Sequence, residues 1–498
     1  MSTLLLPDDA ANRALVANTH PPGWQNPPAE EFDLVVIGGG TAGLVSALGG
    51  AGLGARVALV ERHLLGGDCL NFGCVPSKGL LRSARAVADV RGAPALGVGT
   101  SAPEPDFAQV MERMRTLRAG ISKNDSAQRL REHGVAVFLG DARFTSPRSI
   151  EVAGARLGFK RAIIATGGRA ATPPVPGLAE AGFLTNETVF SLTALPRSLL
   201  IIGAGPIGCE LAQAFARLGS EVTMAGLELL PREDRDAAAL VEAALRRDGV
   251  RLELAASFKR VEQGAGGKTL VYERAGAEGR ATASEILVAA GRAPNVEGLD
   301  LEKGHVAFGK KGVTVDDHLR TTNARVFAVG DVASKYQFTH AADALARIAL
   351  QNALFFGRKR ESALVMPWCT YTDPEVAHVG LYEGEARERG TFIQTITIPL
   401  AEIDRAILDG ETEGFARVHL GKKGRVLGAT LVSRHAGESI GELSLAITAG
   451  LSMSDLAATI HPYPTQAEVW KRAGDAFNRG RLTPRAKSFL ERIVRWRR

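Results

Sequence analysis

The alternation of apolar runs and glycine-rich turns repeats itself in two parts of the chain. The first part begins with the apolar run DLVVI at 33–37, followed by the turn GGGTAG at 38–43, a helix-like stretch and a second apolar run. The second part begins with SLLII at 198–202, followed by GAGPIG at 203–208, and continues in the same order. Short β-branched runs predict buried strands, so the repeat predicts two strand–turn–helix–strand units of the dinucleotide-binding type.

The pattern changes towards both ends of the chain. Residues 1–30 contain a cluster of four prolines and are predicted to be irregular. After about residue 366, runs such as 393–398 and 425–433 predict antiparallel strands, and 439–450 predicts a helix. The sequence therefore predicts an α/β fold class, with two Rossmann-like dinucleotide-binding domains followed by a C-terminal α+β domain.

Composition narrows the class of protein. The chain has 498 residues, of which 45% are hydrophobic and 23% are charged, as in ordinary globular proteins of several domains. These values exclude disordered, collagen-like and coiled-coil chains. Four cysteines are too few for the disulfide scaffold of a secreted protein. The apolar runs are too short to span a membrane and the N-terminus lacks a signal-peptide pattern, which predicts a cytoplasmic location.

The positive charge of the chain is concentrated at its C-terminal end. Residues 479–498 contain eight lysines and arginines and one acid, Glu491, whereas the net charge of the whole chain is +6. The nearly neutral remainder does not favour nucleic-acid binding. Within 484–498, apolar residues at helical spacing occupy one face; they are Ala486, Phe489, Leu490, Ile493 and Val494. This basic amphipathic segment predicts either a peripheral membrane contact or a helix that packs on the protein or remains a flexible end.

Three glycines in each turn define a candidate dinucleotide site. Glycine lets the backbone approach a pyrophosphate, which then lies at the positive end of the following helix. The predicted contacts are Gly38, Gly40 and Gly43 in the first unit and Gly203, Gly205 and Gly208 in the second. In the first unit Glu61 follows the second strand, where a carboxylate can accept hydrogen bonds from a ribose. In the second unit neither an acid nor an arginine stands at the expected position, about Gly226, and the nearest acid, Glu228, comes later in the chain. The sequence therefore does not choose between NADH and NADPH.

Two cysteines provide the candidate redox chemistry. Cys69 and Cys74 are separated by four residues, which is too wide for a thioredoxin-type C-x-x-C site. No Cys/His cluster has zinc-site spacing, and no residue is predicted to ligate a metal. The pair lies at the start of a predicted helix that runs to about Val90, and a helix N-terminus favours a thiolate. Cys209 and Cys369 stand alone in apolar or strand-like sequence and are predicted to be buried packing residues.

The segment GGDCLNFGCVPSK at 66–78 resembles the redox-active disulfide segment of the flavoprotein disulfide reductases. This family includes dihydrolipoamide dehydrogenase, glutathione reductase and mercuric reductase. The resemblance extends from about residue 33 to about residue 475 in the order of the family. Further matching segments are ATG at 165–167, GRAPN at 291–295, FAVGD at 327–331, TDPE at 372–375 and DRAI at 404–407.

The resemblance implies an enzyme that binds FAD in the first unit and NAD(P)H in the second, and that acts as a homodimer on a small molecule. Electrons would pass from the nicotinamide through the flavin to a Cys69–Cys74 disulfide, and then to a small disulfide or a similar acceptor. Cys74 would be the thiolate beside the flavin and Cys69 the more accessible sulfur. Lys78, near the flavin, would pair with Glu210. Further cofactor-binding residues implied by the resemblance are Gly67, Lys78, Thr166, Gly167, Gly291, Arg292, Gly330 and Asp331.

The resemblance also implies a division of the chain into domains. The N-terminal extension and the basic tail lie outside the family pattern. The predicted ranges are 1–30 for the N-terminal extension, 31–175 for the first part of the FAD-binding domain, 176–300 for the NAD(P)-binding domain, 301–365 for the second part of the FAD-binding or central domain, 366–478 for the dimerisation domain and 479–498 for the tail.

The C-terminal motif departs from the family pattern. The family has His-Pro-Thr followed by a glutamate, whereas this chain has HPYPTQAE at 461–468. Tyr463 therefore occupies the histidine position and Glu468 is retained. A phenol is a poorer base than an imidazole near neutral pH. His461, two residues earlier, is an alternative base, although a packing or surface role is favoured for it.

Two alternatives follow from this departure. A tyrosine in the motif makes the chain most similar to mercuric-reductase-like flavoproteins, yet no cysteine follows Cys369 and no C-x-x-C metal-binding domain is present in the sequence. One alternative is therefore metal-ion reduction without the usual C-terminal cysteine pair, because two soft sulfurs can bind a thiophilic ion. The other is a non-enzymatic, redox-sensing flavoprotein that is recruited by its basic tail.

Overall fold

The computed structural model describes residues 5–498. Two compact units are present, one within Met1–Leu229 and Asp248–Leu364 and the other formed by Leu230–Arg247 with Val365–Arg498. The first unit contains both predicted dinucleotide-type units. The second contains the predicted C-terminal α+β domain and the basic tail.

Helices and strands alternate along much of the described chain. In chain order, the helices are α1 (Ala10–Thr19), α2 (Thr41–Gly52), α3 (Gly67–Asn71), α4 (Cys74–Gly92), α5 (Phe107–Ile121), α6 (Ala127–Glu132), α7 (Leu178–Ala181), α8 (Pro206–Arg217), α9 (Arg235–Arg247), α10 (Thr339–Leu354), α11 (Glu383–Glu388), α12 (Asp404–Asp409), α13 (Ala436–Ala449), α14 (Met453–Ala458), α15 (Glu468–Gly480) and α16 (Pro484–Trp496). The strands are β1 (Glu31–Ile37), β2 (Val57–Glu61), β3 (Val135–Leu139), β4 (Ala142–Ser146), β5 (Ser149–Val152), β6 (Ala155–Ile164), β7 (Gly168–Ala170), β8 (Ser198–Ile202), β9 (Glu221–Ala225), β10 (Arg251–Glu253), β11 (Ser257–Gly264), β12 (Gly267–Arg274), β13 (Ala277–Ala283), β14 (Glu285–Val288), β15 (Arg292–Pro294), β16 (Phe308–Gly309), β17 (Gly312–Val313), β18 (Val326–Ala328), β19 (Pro367–Thr370), β20 (Glu375–Gly380), β21 (Gln394–Pro399), β22 (Phe415–Leu420) and β23 (Val426–Ser433).

The first dinucleotide-type unit is built on a sheet with the strand order β3-β2-β1-β6-β5-β4, and β18 also pairs with β6. Strands β3, β2, β1, β6 and β18 run parallel to one another. Strand β5 pairs antiparallel with β6, and β4 pairs antiparallel with β5. β1 and β2 are buried almost throughout, as expected of strands covered on both faces. The turn after β1 and the segment after β18 therefore emerge at the same edge of the sheet, where ligands of such folds bind.

The second dinucleotide-type unit is a parallel sheet with the order β10-β9-β8-β14. A three-stranded antiparallel sheet, β11-β12-β13, lies between β10 and β14 in the chain. A short antiparallel pair, β7 with β15, brings the chain after β6 beside the chain after β14. This pairing matters for the site because it joins segments that are more than 120 residues apart.

The second compact unit contains the antiparallel sheet β19-β20-β23-β22-β21. Its core includes the fully buried Trp470 of α15 together with apolar residues of the sheet and of α13. The predicted strands 393–398 and 425–433 correspond to β21 and β23, and the predicted helix 439–450 corresponds to α13, which begins three residues earlier.

The N-terminal segment differs from the prediction. Residues 10–19, which were expected to be irregular, form helix α1. The Asp9 side chain caps this helix by accepting a hydrogen bond from the backbone N–H of Asn12. Asn12, Leu15 and Thr19 are buried and follow one another at i, i+3 and i+7, so they share one face of the helix. The four prolines that follow the helix at 21–28 led to the prediction of an irregular segment, although the helical spacing of its buried residues is present in the sequence.

Candidate functional site

The first glycine turn packs too tightly for any side chain at two of its predicted positions. A Cβ atom on Gly38 would lie 2.4 Å from the carbonyl oxygen of Ala165, and one on Gly43 would lie 1.8 Å from the carbonyl oxygen of Gly38. Gly40 is the N-cap of α2, so the first N–H groups of this helix point out of the turn. This turn has the form of a cradle for a pyrophosphate.

Glu61 supports the same turn from the end of β2. One of its carboxylate oxygens accepts a hydrogen bond from the backbone N–H of Gly39 at 2.6 Å, and the other accepts one from the backbone N–H of His63 at 2.7 Å. Each oxygen keeps a second lone pair, so both can still accept from ribose hydroxyls. These features fit the adenosine half of FAD.

The redox segment approaches this cradle through glycine. Gly67 adopts a φ of +58°, and a Cβ atom at this position would lie 2.6 Å from the Cα of Gly40. Cys69 lies in the short helix α3, and Cys74 is the first residue of α4. The two cysteines therefore belong to successive helices, whereas the sequence predicted one helix for both.

The protonation of the two thiols is linked. Cys69 lowers the pKa of the Cys74 thiol, and Thr339 and the charge of Lys78 lower it further. The interaction with Cys74 and burial raise the pKa of the Cys69 thiol. The Cys74 sulfur lies 3.3 Å from the hydroxyl of Thr339, the first residue of α10. Cys74 thus lies at one helix N-terminus and beside another, which is an environment that stabilises a thiolate.

The two cysteine residues differ in exposure, since Cys74 is exposed and Cys69 is half-buried in the chain itself. The resemblance implied that Cys69 is the more accessible sulfur when a flavin lies beside Cys74. Cys74 borders the start of α10, which follows the FAVGD segment assigned to flavin contact. Cys209 is fully buried, as predicted, and burial raises the pKa of its thiol. Cys369 is half-buried rather than buried, because β19 lies at the edge of its sheet.

Lys78 and Glu210 form the ion pair that the resemblance implied. The Lys78 Nζ atom lies 2.7 Å from Oε2 of Glu210. The side chain of Glu210 is only 6% exposed, and that of Lys78 is 38% exposed. The pair joins α4 of the redox segment to α8, the helix that follows the second glycine turn.

Arg292 links three segments of the site. Its guanidinium lies 3.1 Å from a carboxylate oxygen of Asp68 and 3.1 Å from a carboxylate oxygen of Asp331, and it donates to the carbonyl oxygen of Gly168 at 2.9 Å. Burial raises the pKa of Asp331, and Arg292 opposes that shift. Asp68 was not among the predicted residues, although its position directly before Cys69 is a signal that could have identified it. Thr339, whose hydroxyl lies beside the Cys74 sulfur, has no comparable signal in the sequence, because it is 265 residues from Cys74.

The ATG and GRAPN segments are joined to each other. The Thr166 hydroxyl donates to the carbonyl oxygen of Asn295 at 2.7 Å, and the Asn295 side chain donates back to the carbonyl oxygen of Thr166 at 2.9 Å. Gly167, Gly291 and Gly330 have positive φ, and a Cβ atom on Gly167 or Gly291 would meet nothing within 4 Å. These two glycines are therefore required by backbone conformation and leave open space beside the turn.

The second glycine turn repeats the packing of the first. A Cβ atom on Gly203 would lie 2.3 Å from the carbonyl oxygen of Ala289, and one on Gly208 would lie 2.2 Å from the carbonyl oxygen of Gly203. A Cβ atom on Gly205 would meet nothing within 4 Å, so this position is open for a ligand. The turn and α8 fit a second dinucleotide.

The C-terminal motif lies in the second compact unit. Tyr463 is 69% exposed, and its hydroxyl donates to a carboxylate oxygen of Asp404 at 2.9 Å. This hydrogen bond raises the pKa of Tyr463. His461 contacts Glu442 through Nε2 at 3.0 Å and the carbonyl oxygen of Thr459 through Nδ1 at 3.1 Å. Both ring nitrogens of His461 are thus engaged, and its side chain is only 6% exposed.

Glu468 begins α15 and pairs loosely with Arg472 at 3.5 Å. Its second oxygen, Oε2, is buried without a hydrogen-bond partner among the described residues.

The basic tail forms helix α16, capped by the side chain of Thr483. All of its residues are solvent-accessible, and Phe489 and Trp496 are 63% and 85% exposed. The predicted amphipathic helix is therefore present, and its apolar face is not packed on the described part of the chain.

The described residues contain neither a metal-binding group of side chains nor a membrane-spanning helix. Within residues 5–498, no group of three or more His, Cys, Asp and Glu side chains is placed to hold a metal ion. None of the helices in the same residues is both long and apolar enough to cross a bilayer.

The chain matches a known family over most of its length. The model of the pyridine nucleotide-disulphide oxidoreductases matches residues 32–346, and that of their dimerisation domain matches residues 366–474. The chain belongs to the pyridine nucleotide-disulphide oxidoreductase family.

Individual relatives carry different names. A mercuric reductase from Lysinibacillus sphaericus is 36% identical over 454 residues, which cover 90% of this chain and 83% of that protein. A dihydrolipoyl dehydrogenase from Thermus scotoductus is 37% identical over 465 residues, which cover 90% and 98%. A solved structure, the Cu(II) complex of the HOCl-induced flavoprotein disulfide reductase RclA from Escherichia coli, matches with a TM-score of 0.79 at 30% identity, covering 88% of this chain and 98% of that one.

These findings confirm the family, the α/β fold class with its dimerisation domain, the enzyme class, and the predicted cofactors FAD and NAD(P)H. They favour the enzyme over the non-enzymatic alternative. They do not determine the electron acceptor, since the relatives are named for different reactions.

Proposed function

We propose that the chain is an NAD(P)H-dependent reductase of small disulfides that uses Cys69 and Cys74 as its redox-active pair. The observation that carries this proposal is the place of Cys74 at the N-terminus of α4, with its sulfur 3.3 Å from the Thr339 hydroxyl and with Cys69 in the preceding helix. In keeping with this place, the pKa of the Cys74 thiol is lowered and that of the Cys69 thiol is raised. The Cys74 thiol would therefore ionise more readily than an ordinary thiol, and the Cys69 thiol would keep its proton. The overall reaction would convert NAD(P)H, a proton and one disulfide into NAD(P)⁺ and two thiols.

The cofactors would be held by the two glycine turns and the segments around them. Bound FAD would supply a two-electron carrier between the nicotinamide and the cysteine pair. We assign its pyrophosphate to the turn at Gly38, Gly40 and Gly43, and its ribose to Glu61. The Asp331 segment would hold the flavin half of FAD. A flavin beside Cys74 would cover that sulfur, which would leave Cys69 as the sulfur that meets the substrate. The nicotinamide dinucleotide would occupy the turn at Gly203, Gly205 and Gly208.

The chain's own residues then account for the exchange with substrate. Once the pair is reduced, the Cys69 sulfur would attack the substrate disulfide. A bond forms between Cys69 and one substrate sulfur, which gives a mixed disulfide; the substrate S–S bond breaks, and the proton of Cys69 leaves with the other sulfur as the first thiol. The Cys74 thiolate attacks Cys69 in that mixed disulfide, restores the Cys69–Cys74 bond and releases the second thiol. Lys78, held by Glu210, would keep positive charge beside Cys74 throughout, which favours its thiolate form.

We assign Tyr463 and Glu468, rather than His461, to the acid–base role of the C-terminal motif. Both ring nitrogens of His461 are engaged, which supports a packing role for it. The raised pKa of Tyr463 keeps its phenol protonated at neutral pH, so it would position a proton rather than remove one.

The proposal also includes a homodimer, in which the C-terminal motif of one subunit serves the other subunit. It includes the domain boundaries that are expected from the sequence as well.

The test is NADH and NADPH oxidation by the FAD-loaded protein with a panel of acceptors. Disulfides of different charge, such as lipoamide, glutathione disulfide and an aromatic disulfide, should support turnover in the wild type. Cys69→Ser and Cys74→Ser should each abolish it, whereas the matched variant Cys369→Ser should retain it. Turnover of all the disulfides by Cys69→Ser would contradict the proposal.

A second acceptor class is a thiophilic metal ion. Two adjacent soft sulfurs favour such an ion, and the relatives include mercuric reductases and a flavoprotein solved as a Cu(II) complex. Hg(II) and Cu(II), supplied as thiol complexes, therefore belong in the same panel. Metal-dependent NAD(P)H oxidation in the wild type that is absent from both cysteine variants, without turnover of any disulfide, would favour this second function.

We also propose that α16 contacts an anionic membrane surface of a cytoplasmic compartment. The support is its exposed apolar face and the excess of basic residues in 479–498. Apolar area and positive charge on one short helix are the two features that such binding requires.

A further inference from the structure

Helix α1 contacts the redox segment although it lies outside the family match, which begins at residue 32. Its buried face is made by Asn12, Leu15 and Thr19. These side chains and their neighbours contact α5, and through Leu15, Thr19 and His20 they also reach residues within 63–75, the stretch that includes both cysteines.

The apolar part of this contact lies next to both cysteines. Leu15 is fully buried in a small cluster with Leu70 and Ala119, and Val75 packs against the same cluster. Leu70 follows Cys69 directly and Val75 follows Cys74 directly. Displacement of Leu15 would therefore move the backbone of both redox-active residues.

The polar part of the contact passes through Arg118 of α5. One terminal nitrogen of Arg118 donates to the backbone carbonyl oxygen of Asn71, the last residue of α3, at 2.6 Å. The other terminal nitrogen donates to Oδ1 of Asn12 at 2.6 Å. Asn12 is itself fixed, because its side-chain amide donates to the carbonyl oxygen of Pro7 at 2.8 Å. Asn12 thus holds the guanidinium that holds the end of α3.

The N-terminal segment also supplies a carboxylate to this buried cluster. Arg115 donates to a carboxylate oxygen of Asp9 at 2.6 Å, and Arg115 and Arg118 are 6% and 3% exposed. Burial and the neighbouring Arg115 lower the pKa of Arg118 to about 10, and Asp9 opposes this shift. Two buried cations without a carboxylate would be costly, so Asp9 stabilises the arrangement.

The C-terminal end of α1 contacts the residues that directly precede the 66–78 segment. The backbone N–H of Leu65 donates to the carbonyl oxygen of Thr19 at 3.1 Å. The imidazole Nδ1 of His20 contacts the carbonyl oxygen of His63. Contacts from α1 and the residues beside it therefore bracket α3 on both sides.

We propose that α1 is a positioning element for the redox segment, and that Asn12 is a positioning residue that acts through Arg118 to hold α3 where the Cys69 thiol reaches the Cys74 sulfur. The inference concerns thiol chemistry and does not depend on which acceptor the enzyme reduces. Asn12 touches neither sulfur, so its effect on them must pass through the placement of α3.

The test compares two asparagines of the same helix. Asn12→Ala removes the acceptor for Arg118, whereas the control Asn18→Ala removes a hydrogen bond to the hydroxyl of Ser122, which lies outside the redox segment. Both variants are prepared as FAD-loaded protein and reduced with dithiothreitol. The rate of alkylation of the two cysteines by iodoacetamide is then measured against pH, with the modified residue identified by peptide mass spectrometry.

Asn12→Ala should raise the lower apparent pKa of the cysteine pair by about half a unit or more, because a displaced α3 weakens the hydrogen bond that stabilises the thiolate. Asn18→Ala should retain the wild-type profile, and Asn12→Asp, which keeps an oxygen acceptor for Arg118, should return towards it. An Asn12→Ala profile that coincides with the wild type would overturn the proposal, as would equal shifts in both alanine variants.

A second substitution keeps the test decisive if Asn12→Ala does not fold. Leu15→Val removes one methylene from the cluster beside Leu70 and Val75 and leaves every polar contact of α1 in place. The same alkylation profile should shift in the same direction by a smaller amount. Thermal unfolding, measured in parallel, separates a change in thiol reactivity from a general loss of stability.

Discussion

Replacing Arg292 with methionine should destabilise the first compact unit, and the loss should depend on pH. The guanidinium bonds to Asp68 and Asp331, each at 3.1 Å, and its side chain is only 12% exposed. Methionine fills a similar volume without donating hydrogen bonds. The variant therefore leaves the carboxylates of Asp68, beside Cys69, and of Asp331 without their shared cation.

The size of the loss follows from the burial of the partners. Removing one member of a buried ion pair costs about 3–5 kcal/mol. The Asp331 side chain is 16% exposed, but that of Asp68 is 32% exposed, and water can replace part of what it loses. We therefore expect about 3 kcal/mol at pH 8, near the lower limit of that range. For a unit of this size, such a loss corresponds to a fall of about 4 °C in the unfolding temperature.

The pH dependence follows from the sign of the Asp331 shift. Burial already holds the pKa of Asp331 above its ordinary value, and Arg292 opposes this, so the variant should raise the pKa further. A carboxyl whose folded pKa exceeds its unfolded pKa destabilises the fold when it is charged, and this cost disappears as pH falls through the folded pKa. The difference between wild type and Arg292→Met should therefore shrink from pH 8 to pH 5.

The assay is thermal unfolding of the FAD-loaded protein, followed by circular dichroism across that pH range. Arg169→Met is the matched control, because Arg169 lies on the paired strand β7 and forms an exposed ion pair with Glu297 at 2.8 Å. Such exposed pairs contribute less than about 1 kcal/mol. Equal losses in the two variants, or a loss in Arg292→Met that is the same at pH 5 and pH 8, would refute the reasoning.

Three further perturbations test other parts of the structure. Gly67→Ala places a Cβ atom 2.6 Å from the Cα of Gly40 at a positive φ, so it should weaken retention of FAD, measured by the fluorescence of released flavin. Lys78→Met removes a charge that lowers the pKa of Cys74, so the alkylation profile should move to higher pH; an unchanged profile would mean that this charge does not act on the thiol. Deletion of 484–498 should abolish co-sedimentation with phosphatidylglycerol vesicles while leaving turnover unchanged, and full retention of binding would exclude α16 as the membrane contact.

The glycine turns and the cysteine pair could be predicted from sequence because their constraints are local. Gly43 must lack a side chain because the turn folds back on the carbonyl oxygen of Gly38, and Gly38 must lack one because it packs on Ala165 after β6. Both requirements leave glycines at a fixed spacing in the sequence. The strands that precede these turns, predicted at 33–37 and 198–202, correspond to β1 (Glu31–Ile37) and β8 (Ser198–Ile202). The departure at Tyr463 was also visible, since it is a change within a motif.

The contacts that surround the cysteines could not be predicted in this way. Arg292 reaches Asp68 only because β15 pairs with β7, and that register is a property of the folded unit. Thr339 approaches Cys74 from the start of a helix whose sequence marks it only as amphipathic. The hydrogen bond between Tyr463 and Asp404, and the packing of α1, likewise depend on tertiary placement.

Helix α3 has five residues, and a helix this short has little stability of its own. Its placement must come from outside, and the structure supplies it through Arg292 at Asp68 and Arg118 at the other end. The reactivity of the cysteine pair therefore depends on residues beyond the 66–78 motif as well as on Cys69, Cys74 and Lys78 within it. Relatives that match 90% of this chain are named for different reactions, which indicates that the shared scaffold does not fix the acceptor.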